Sequence, residues 1–581
     1  MTGSTERPAV QPETSAVARG SLINLIAMTT GAALTFGLTV LVSRWLRPGG
    51  SGALFELIAL FTIASNTFEL GADTGLLRWI SRARALGRLT DVRQVVVVAL
   101  VPVGLIGAAA AAAVWLTAPE LAHAFLQSLP PRQGILDIRM VAPLVPLGAL
   151  SSCLIDAARG FGRMWPFLAI EGLGKPTTRI ALVAGALLAG LGLSGAIVAW
   201  GIPVAAGLAA SSLIFTAILR REIPRRASAA LRRASAHAQS AAGVSRVRGE
   251  RPAGRPAAVS ESRRTDQPRG AGRHRSQGAG RSGGGRHRLP LSRLGSEFWR
   301  FTAPRAFQGT FQVIILWLDI LLVGAVVSSY AAGIYAAVSK LAMVGTFVLE
   351  GNRLAIGPQL SALLARREHD RAAALFQTAT RLLMLASWPL YLLLAIFPAV
   401  VLGIFGSRYT TGAAALAVLS LAMLVNLGTG NVTVVLLMGG KSSWSAINAG
   451  AAFVVNIGLN LLLLPRIGIL GAAIAWGASI VVDNVSAMIE LRWVLGLAPF
   501  GRGYGTVAAI TLGCFGIPGI AARLVLGDTL LSMAAAVLAA MAAFVLTLYT
   551  ARAPLHLAEM AASFRSRSAP AVSQEPGRQA A

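Results

Sequence analysis

Glu171, Lys175 and Arg179 stand at i, i+4 and i+8 inside an otherwise apolar stretch. On one α-helix that spacing puts all three side chains along a single face. At 1.5 Å per residue, Lys175 and Arg179 fall about 16 to 24 Å from the nearer basic end of the stretch, close to the midplane of a bilayer. An ionisable group at that depth needs a partner or a wet cavity. Cations in a partly dehydrated cavity are the side chains able to replace the water around a phosphate or pyrophosphate. Pro176, between the two cations, is expected to bend the helix toward such a cavity.

The second half of the chain offers fewer charges of this kind. Arg305 has no evident sequence partner and is the third candidate for an anion-binding group, with Lys175 and Arg179. Asp319 precedes a short polar break by about the distance at which Lys340 follows it. These two are expected either to pair with each other or to face the cavity, as is Glu171. Arg44 and Glu56 flank an earlier break in the same way and are expected as a stabilising pair. Asp156, Glu171 and Asp483 are the carboxylates available to titrate if transport is coupled to protons. No clustered metal ligands, phosphate-cradling loop or nucleophile elbow accompanies them, so neither a metal nor a cofactor is expected. Cys153 and Cys514 both lie in apolar stretches and read as small packing residues.

The elements that must hold these charges are membrane helices. The 581 residues are 55% hydrophobic and 13% charged, too apolar for water as the solvent. Apolar blocks fall near 21–46, 52–74, 94–117, 138–157, 164–189 and 192–219. They resume near 298–326, 331–352, 376–399, 412–437, 442–464, 468–491, 504–525 and 529–550. This predicts an all-α integral membrane protein of about fourteen transmembrane helices. Arg78, Arg82, Arg84, Arg88 and Arg93, then Arg159 and Arg163, Arg366, Arg367 and Arg371, Lys441, and Arg492 and Arg502 occupy alternate connectors. With the tail residues Arg552, Arg565 and Arg567 they mark one side, which predicts that both termini are cytoplasmic.

The halves echo each other. Gly195-Ala-Ile-Val-Ala-Trp200-Gly201 and Gly471-Ala-Ala-Ile-Ala-Trp476-Gly477 agree at five of seven positions. Gly162-Arg163-Met164-Trp165 is echoed by Gly440-Lys441-Ser-Ser-Trp444, and Gly52-Ala-Leu-Phe55 by Gly333-Ile-Tyr335-Ala336. Six helices separate the copies, so two six-helix lobes are expected around a pseudo-twofold along the membrane normal, with two extra C-terminal helices. The expected divisions are a tail at 1–20, an N-lobe at 21–219, a linker at 220–296, a C-lobe at 297–495, the last two helices at 500–550 and a tail at 551–581.

Together with the helix count and the Tyr335 break, several short runs carry a family resemblance. These are Gly406-Ser-Arg-Tyr409, Gly439-Gly-Lys441, Asn456-Ile-Gly-Leu-Asn460 and Pro465-Arg-Ile-Gly-Ile-Leu-Gly471. The chain resembles the polysaccharide-flippase (Wzx-type) branch of the MATE-like flippase superfamily over nearly all of 21–550. The resemblance implies a central cavity and transport of a polyprenyl-pyrophosphate-linked oligosaccharide across a bacterial plasma membrane. A flippase for the peptidoglycan precursor lipid II, a small-molecule exporter and a membrane glycosyl polymerase or ligase stay open as alternatives. The last would need a sizeable outer loop, and the longest outer connector, near 118–137, is short.

The net charge of +28 is concentrated in residues 220–294, whose 19 Arg and 4 acids supply +15. This stretch is rich in Arg, Gly, Ala, Ser and Pro and poor in large apolar residues, which predicts a disordered linker. It also suits contact with anionic membrane lipids. Nucleic acid is not an expected partner, because no stacking aromatics are interleaved; a glycan polymerase or glycosyltransferases would be.

Overall fold

The computed structural model describes residues 12–85, 92–248, 291–439, 442–501 and 503–550, and these contain helices and turns with no strand. The helices of the first half are α1 Pro12–Phe68, α2 Ala72–Ala85, α3 Val92–Leu116, α4 Ala118–Phe125, α5 Pro131–Val141, α6 Leu144–Gly160, α7 Trp165–Phe167, α8 Lys175–Leu188 and α9 Gly192–Arg248. Those of the second half are α10 Leu291–Val326, α11 Ser329–Ala342, α12 Thr346–Ala365, α13 His369–Ile396, α14 Pro398–Leu402, α15 Ala413–Gly428, α16 Val432–Met438, α17 Ser442–Ile467, α18 Ile469–Leu495, α19 Tyr504–Thr511, α20 Ile517–Leu526 and α21 Leu530–Thr550. Among the described residues eleven runs are long and apolar enough to cross a bilayer. There are twelve when α11 and the start of α12, bent by 41°, are taken together. The chain is a multi-pass membrane protein.

The run Thr29–Phe68 is 40 residues long. A straight helix of that length would measure about 60 Å, twice the hydrocarbon thickness. It is not straight. Arg47 takes φ 60° and ψ 174° and is followed by Pro48. The consequence is a reversal: Thr35, Leu38 and Thr39 line the same cavity as Phe61, Thr62 and Asn66. Trp165–Leu188 falls outside the count because Glu171, Lys175 and Arg179 lower its hydropathy, although α8 packs along α9 and α1.

Helices of each half keep mainly to themselves. In the first, α6 packs against α2, α3 and α9; in the second, α15 packs against α13 and α18, and α17 against α18. The halves meet through α1, which lies along α10 and α11. At the tip of the α1 reversal a Cβ on Gly52 would strike the Ser329 carbonyl and the Gly333 nitrogen, the latter at 2.9 Å. A Cβ on Gly333 would strike the Pro48 carbonyl and the Gly52 nitrogen, again at 2.9 Å. Each contact joins a residue to the echo of its neighbour, with one offset of 281 residues relating 52 to 333 and 48 to 329. Such reciprocity is the signature of an isologous contact.

The same end carries a polar seal. Tyr409 Oη lies 2.7 Å from Ser51 Oγ and donates to the Ser43 carbonyl at 3.2 Å. Arg44 Nε donates to the Ile404 carbonyl at 2.7 Å, and Ser329 Oγ donates to Glu56 at 3.1 Å. Arg44 and Glu56 are therefore not a pair: each binds the opposite half.

Two boundaries differ from the sequence expectation. The helix expected to end near 219 continues to Arg248. Ala and Arg are strong helix formers, and extending a formed helix avoids the cost of nucleation, so no buried face is needed. Residues 249–290 and the tail 551–581 lie outside the described residues. The apolar block expected from about 138 starts earlier: α4 and α5 occupy the connector near 118–137, and the run that continues through α6 begins at Pro131.

Candidate functional site

Between the two halves lies a cavity of about 310 Å³. Its walls come from both arms of α1, α6, the π-helical turn Leu168–Gly174 with α8, α9, α10 and α11. Lys175, Arg179 and Lys340 are its cations, and Glu69 and Glu171 its carboxylates. Thr35, Thr39, Ser65, Asn66 and Ser152 add uncharged polar groups.

Lys175 and Glu171 form an ion pair. The buried lysine stem rests where a Cβ on Gly207 of α9 would be, 2.6 Å from Cε, so the glycine makes room for it. Arg179 lies with its guanidinium 4.4 Å from the centre of the Trp200 ring. Stacking of this kind fixes the plane of the guanidinium and leaves its edge N–H groups for an anion. The three charges do share one wall, by a different geometry from a continuous α-helix. Glu171 belongs to the π-turn, whose wider winding inserts an extra residue just before Lys175, and Pro176 then occupies the start of α8, where a missing N–H is tolerated.

Asp319 and Lys340 do not pair. Asp319 accepts from Tyr335 Oη at 2.9 Å and from Asn460 Nδ2 at 2.8 Å, in a fully buried cluster with Asn456. Lys340 Nζ instead sits 4.1 Å from the centre of the Trp317 ring and faces the cavity. The reason is rotation about the helix axes. Trp317 and Asp319 are two residues apart and point to nearly opposite sides of α10, while Tyr335 and Lys340, five apart, are likewise on different sides of α11. Similar depth did not imply a similar face. Asp319→Ala is accordingly expected to lower the amount of folded protein in the membrane, because it strands Tyr335 and Asn460, whereas Lys340→Gln should leave it unchanged. Fluorescence-detected size exclusion of the two variants checks this, and equal losses would contradict the assignment.

The remaining expectations fall elsewhere. Asp156 is held by Arg159 at 2.6 Å on α6, and Asp483 lies half-buried on α18; neither is among the residues lining the cavity. Arg305 belongs to α10, but its side chain is outside the described residues. Glu69, Asn66, Trp317 and Thr39 escaped the sequence reading, since none is marked by spacing. Trp200 was visible only as part of the repeat.

The cavity continues into two seams. One runs between α1 and the α11–α12 bend and shares Thr35, Glu171, Pro176 and Lys340 with the cavity; Ala32, Phe36, Phe167, Met343, Val344 and Phe347 make most of its lining apolar. The other runs between α2 and α10 and mixes the polar Asn66, Glu69, Asp73, Thr74, Thr310 and Gln312 with the apolar Ala306, Val313 and Leu316.

A family described as "Polysaccharide biosynthesis protein" matches residues 286–414. No curated protein matches the chain. Among solved structures, a lipid II flippase MurJ in an inward closed conformation is 12% identical with a TM-score of 0.61, covering 91% of this chain and 99% of its own. An inward-facing multidrug resistance MATE family transporter of the MOP superfamily is 13% identical with a TM-score of 0.55, covering 84% and 98%. The Vibrio cholerae MATE transporter VcmN is 14% identical with a TM-score of 0.52, covering 84% and 99%. The all-helical membrane fold is thus like that of these solved structures, as the resemblance read from the sequence implies.

Proposed function

We propose that this chain, with the fold of MurJ and the MATE transporters and a polysaccharide-biosynthesis match in its middle, is a flippase for a polyprenyl-pyrophosphate-linked oligosaccharide. One observation carries the reading: a cavity holding Lys175, Arg179 and Lys340 adjoins an apolar seam between α1 and the α11–α12 bend. A lipid-linked pyrophosphate has the complementary shape of charge, an anionic centre joined to a hydrocarbon tail. The cations take the pyrophosphate, the apolar seam takes the first isoprenes, and the seam between α2 and α10, with Asn66, Glu69, Asp73, Thr74, Thr310 and Gln312, offers the glycan hydrogen-bond partners. The chain performs no covalent step in this reading; it exchanges access to the cavity between the two faces.

In the same reading the two arms of α1 and the Trp165–Leu188 run each cross the membrane, which gives fourteen crossings in two six-helix lobes and a final pair. The Arg-rich face is cytoplasmic, both termini are on it, and the membrane is the bacterial plasma membrane. A lipid II flippase would use the same cavity, and the similarity to MurJ favours it as the second reading; the family match over 286–414 favours polysaccharide assembly.

Reconstitution tests the proposal. Liposomes carrying a polyprenyl-pyrophosphate-linked saccharide with a nitrobenzoxadiazole label lose only outer-leaflet fluorescence to dithionite. The protein should extend bleaching into the inner-leaflet pool. No gain over protein-free liposomes, together with export of cationic dyes from cells, would replace the reading with a small-molecule exporter.

A further inference from the structure

A second cationic pocket, separate from the central cavity, lies at the Arg-rich end of the α2–α10 contact. It has a volume of about 300 Å³ and is lined by Arg78, Trp79, Arg82, Glu297, Arg300 and Phe301. Arg78 and Arg82 are one turn apart and share a face of α2, and Arg300 approaches from α10 on the other half of the molecule. The Arg78 guanidinium stacks 3.8 Å from the centre of the Phe301 ring, across the junction, and Arg82 lies 5.8 Å from that of Trp79.

Among the described residues no salt bridge within 4.0 Å engages Arg78, Arg82, Arg300 or Glu297. Three guanidinium groups therefore face one carboxylate in a small space, for a formal excess of two positive charges. Arginines that serve only to orient a membrane protein need point no further than the surrounding headgroups. Here they converge from two helices on one pocket, and the Phe301 ring holds Arg78 in plane. A planar guanidinium so held presents paired N–H donors with the spacing of phosphoryl oxygens. Basic pockets between membrane helices on the cytoplasmic side have the depth of phospholipid headgroups.

We infer that this pocket is a binding site for the phosphoryl group of a membrane lipid, bridging the two halves at the Arg-rich face. The ligand chemistry is a phosphate monoanion or pyrophosphate on a hydrocarbon chain, supplied either by an anionic phospholipid or by the lipid carrier awaiting transfer. This inference stands apart from the transport reading, which rests on Lys175, Arg179 and Lys340.

Native mass spectrometry of the full chain in detergent, with added dioleoyl phosphatidylglycerol, dioleoyl phosphatidylcholine or undecaprenyl pyrophosphate, tests it. Arg78→Gln/Arg82→Gln/Arg300→Gln should weaken phosphatidylglycerol retention about tenfold or more, as expected for lost charge-assisted contacts. Lys175→Gln/Arg179→Gln should leave that retention unchanged. Arg→Lys at the three pocket positions keeps charge and should keep part of the binding, and it serves as the folded reference if the Gln variant is unstable. Loss of undecaprenyl pyrophosphate alone in the pocket variant would support the site and assign it to the carrier. Equal retention of phosphatidylglycerol and phosphatidylcholine by the wild-type chain, or no difference for either anionic lipid in the pocket variants, would overturn it.

Discussion

Cells carrying Arg179→Gln are expected to stop exporting glycan while keeping a normal amount of the protein in the membrane. Arg179 stacks on Trp200 and has no ion pair within 4.0 Å among the described residues, so its removal takes a cation from the cavity without exposing a paired carboxylate there. A charge-assisted contact to a pyrophosphate oxygen contributes about 1.5 to 3 kcal/mol, so its loss weakens binding roughly tenfold to a hundredfold. Arg179→Lys should fall between, since it keeps charge and loses the planar stack. Lys175 needs a different comparison. Lys175→Gln alone leaves Glu171 without its ion pair, and protein abundance is expected to fall along with export. Glu171→Gln/Lys175→Gln should restore abundance and not export. Surface glycan measured beside immunoblots of the membrane fraction separates these outcomes. Normal export by Arg179→Gln and by the double variant would remove the cationic cavity as the substrate site.

Gly52→Ala and Gly333→Ala form the second strong case. Each added methyl meets backbone atoms of the opposite half, and backbone cannot turn aside as a side chain can. Overpacking of this kind costs about 1 to 3 kcal/mol. Since the clash exists only while the two halves touch, the penalty falls on the sealed state, shifting the balance away from it by roughly fivefold to a hundredfold. Export should drop accordingly, and the seal should open. Ser329 is fully buried, so Ser329→Cys in a Cys153→Ala/Cys514→Ala background should resist an impermeant maleimide and become reactive when Gly52→Ala is added. Gly49→Ala is the matched control, because nothing stands within 4 Å of the methyl it would add in the same turn. Unchanged labelling and unchanged export in both seal variants would mean that this end does not open.

Most of the architecture was legible because hydropathy and charge report solvent, and solvent decides which stretches become membrane helices. The alternating Arg residues and the charges on Trp165–Leu188 belong to that class of signal. Relations between helices were less accessible. The echo of Gly52 and Gly333 could be seen in the residues, but not that the two positions touch, because an axis of symmetry has no letter. Asp319 and Lys340 show the same limit: sequence distance gives height along a helix, while the face each presents to the next helix depends on how the two are rotated in the bundle. The helix through Arg248 was missed for another reason. Its composition lacks anything to bury, and burial is what marks a folded stretch, although an Ala- and Arg-rich extension of a membrane helix needs none.

The π-turn Leu168–Gly174 has a bearing on how this protein can change over evolutionary time. A π-turn is an α-helix that has accommodated one residue more than it needs. Deleting a single residue there would restore an unbroken α-helix and leave the later side chains of α8 facing as they do, whereas the same deletion within α8 itself would swing every later side chain by about 100° around the axis. After a deletion in the turn Arg179 would keep its place on Trp200 and Lys175 its hollow at Gly207; after one between Lys175 and Arg179, Arg179 would leave Trp200. The turn is therefore the place where this helix can lose a codon and keep the positive lining of its cavity, while a one-codon loss a few residues later would remove Arg179 from that lining in one step.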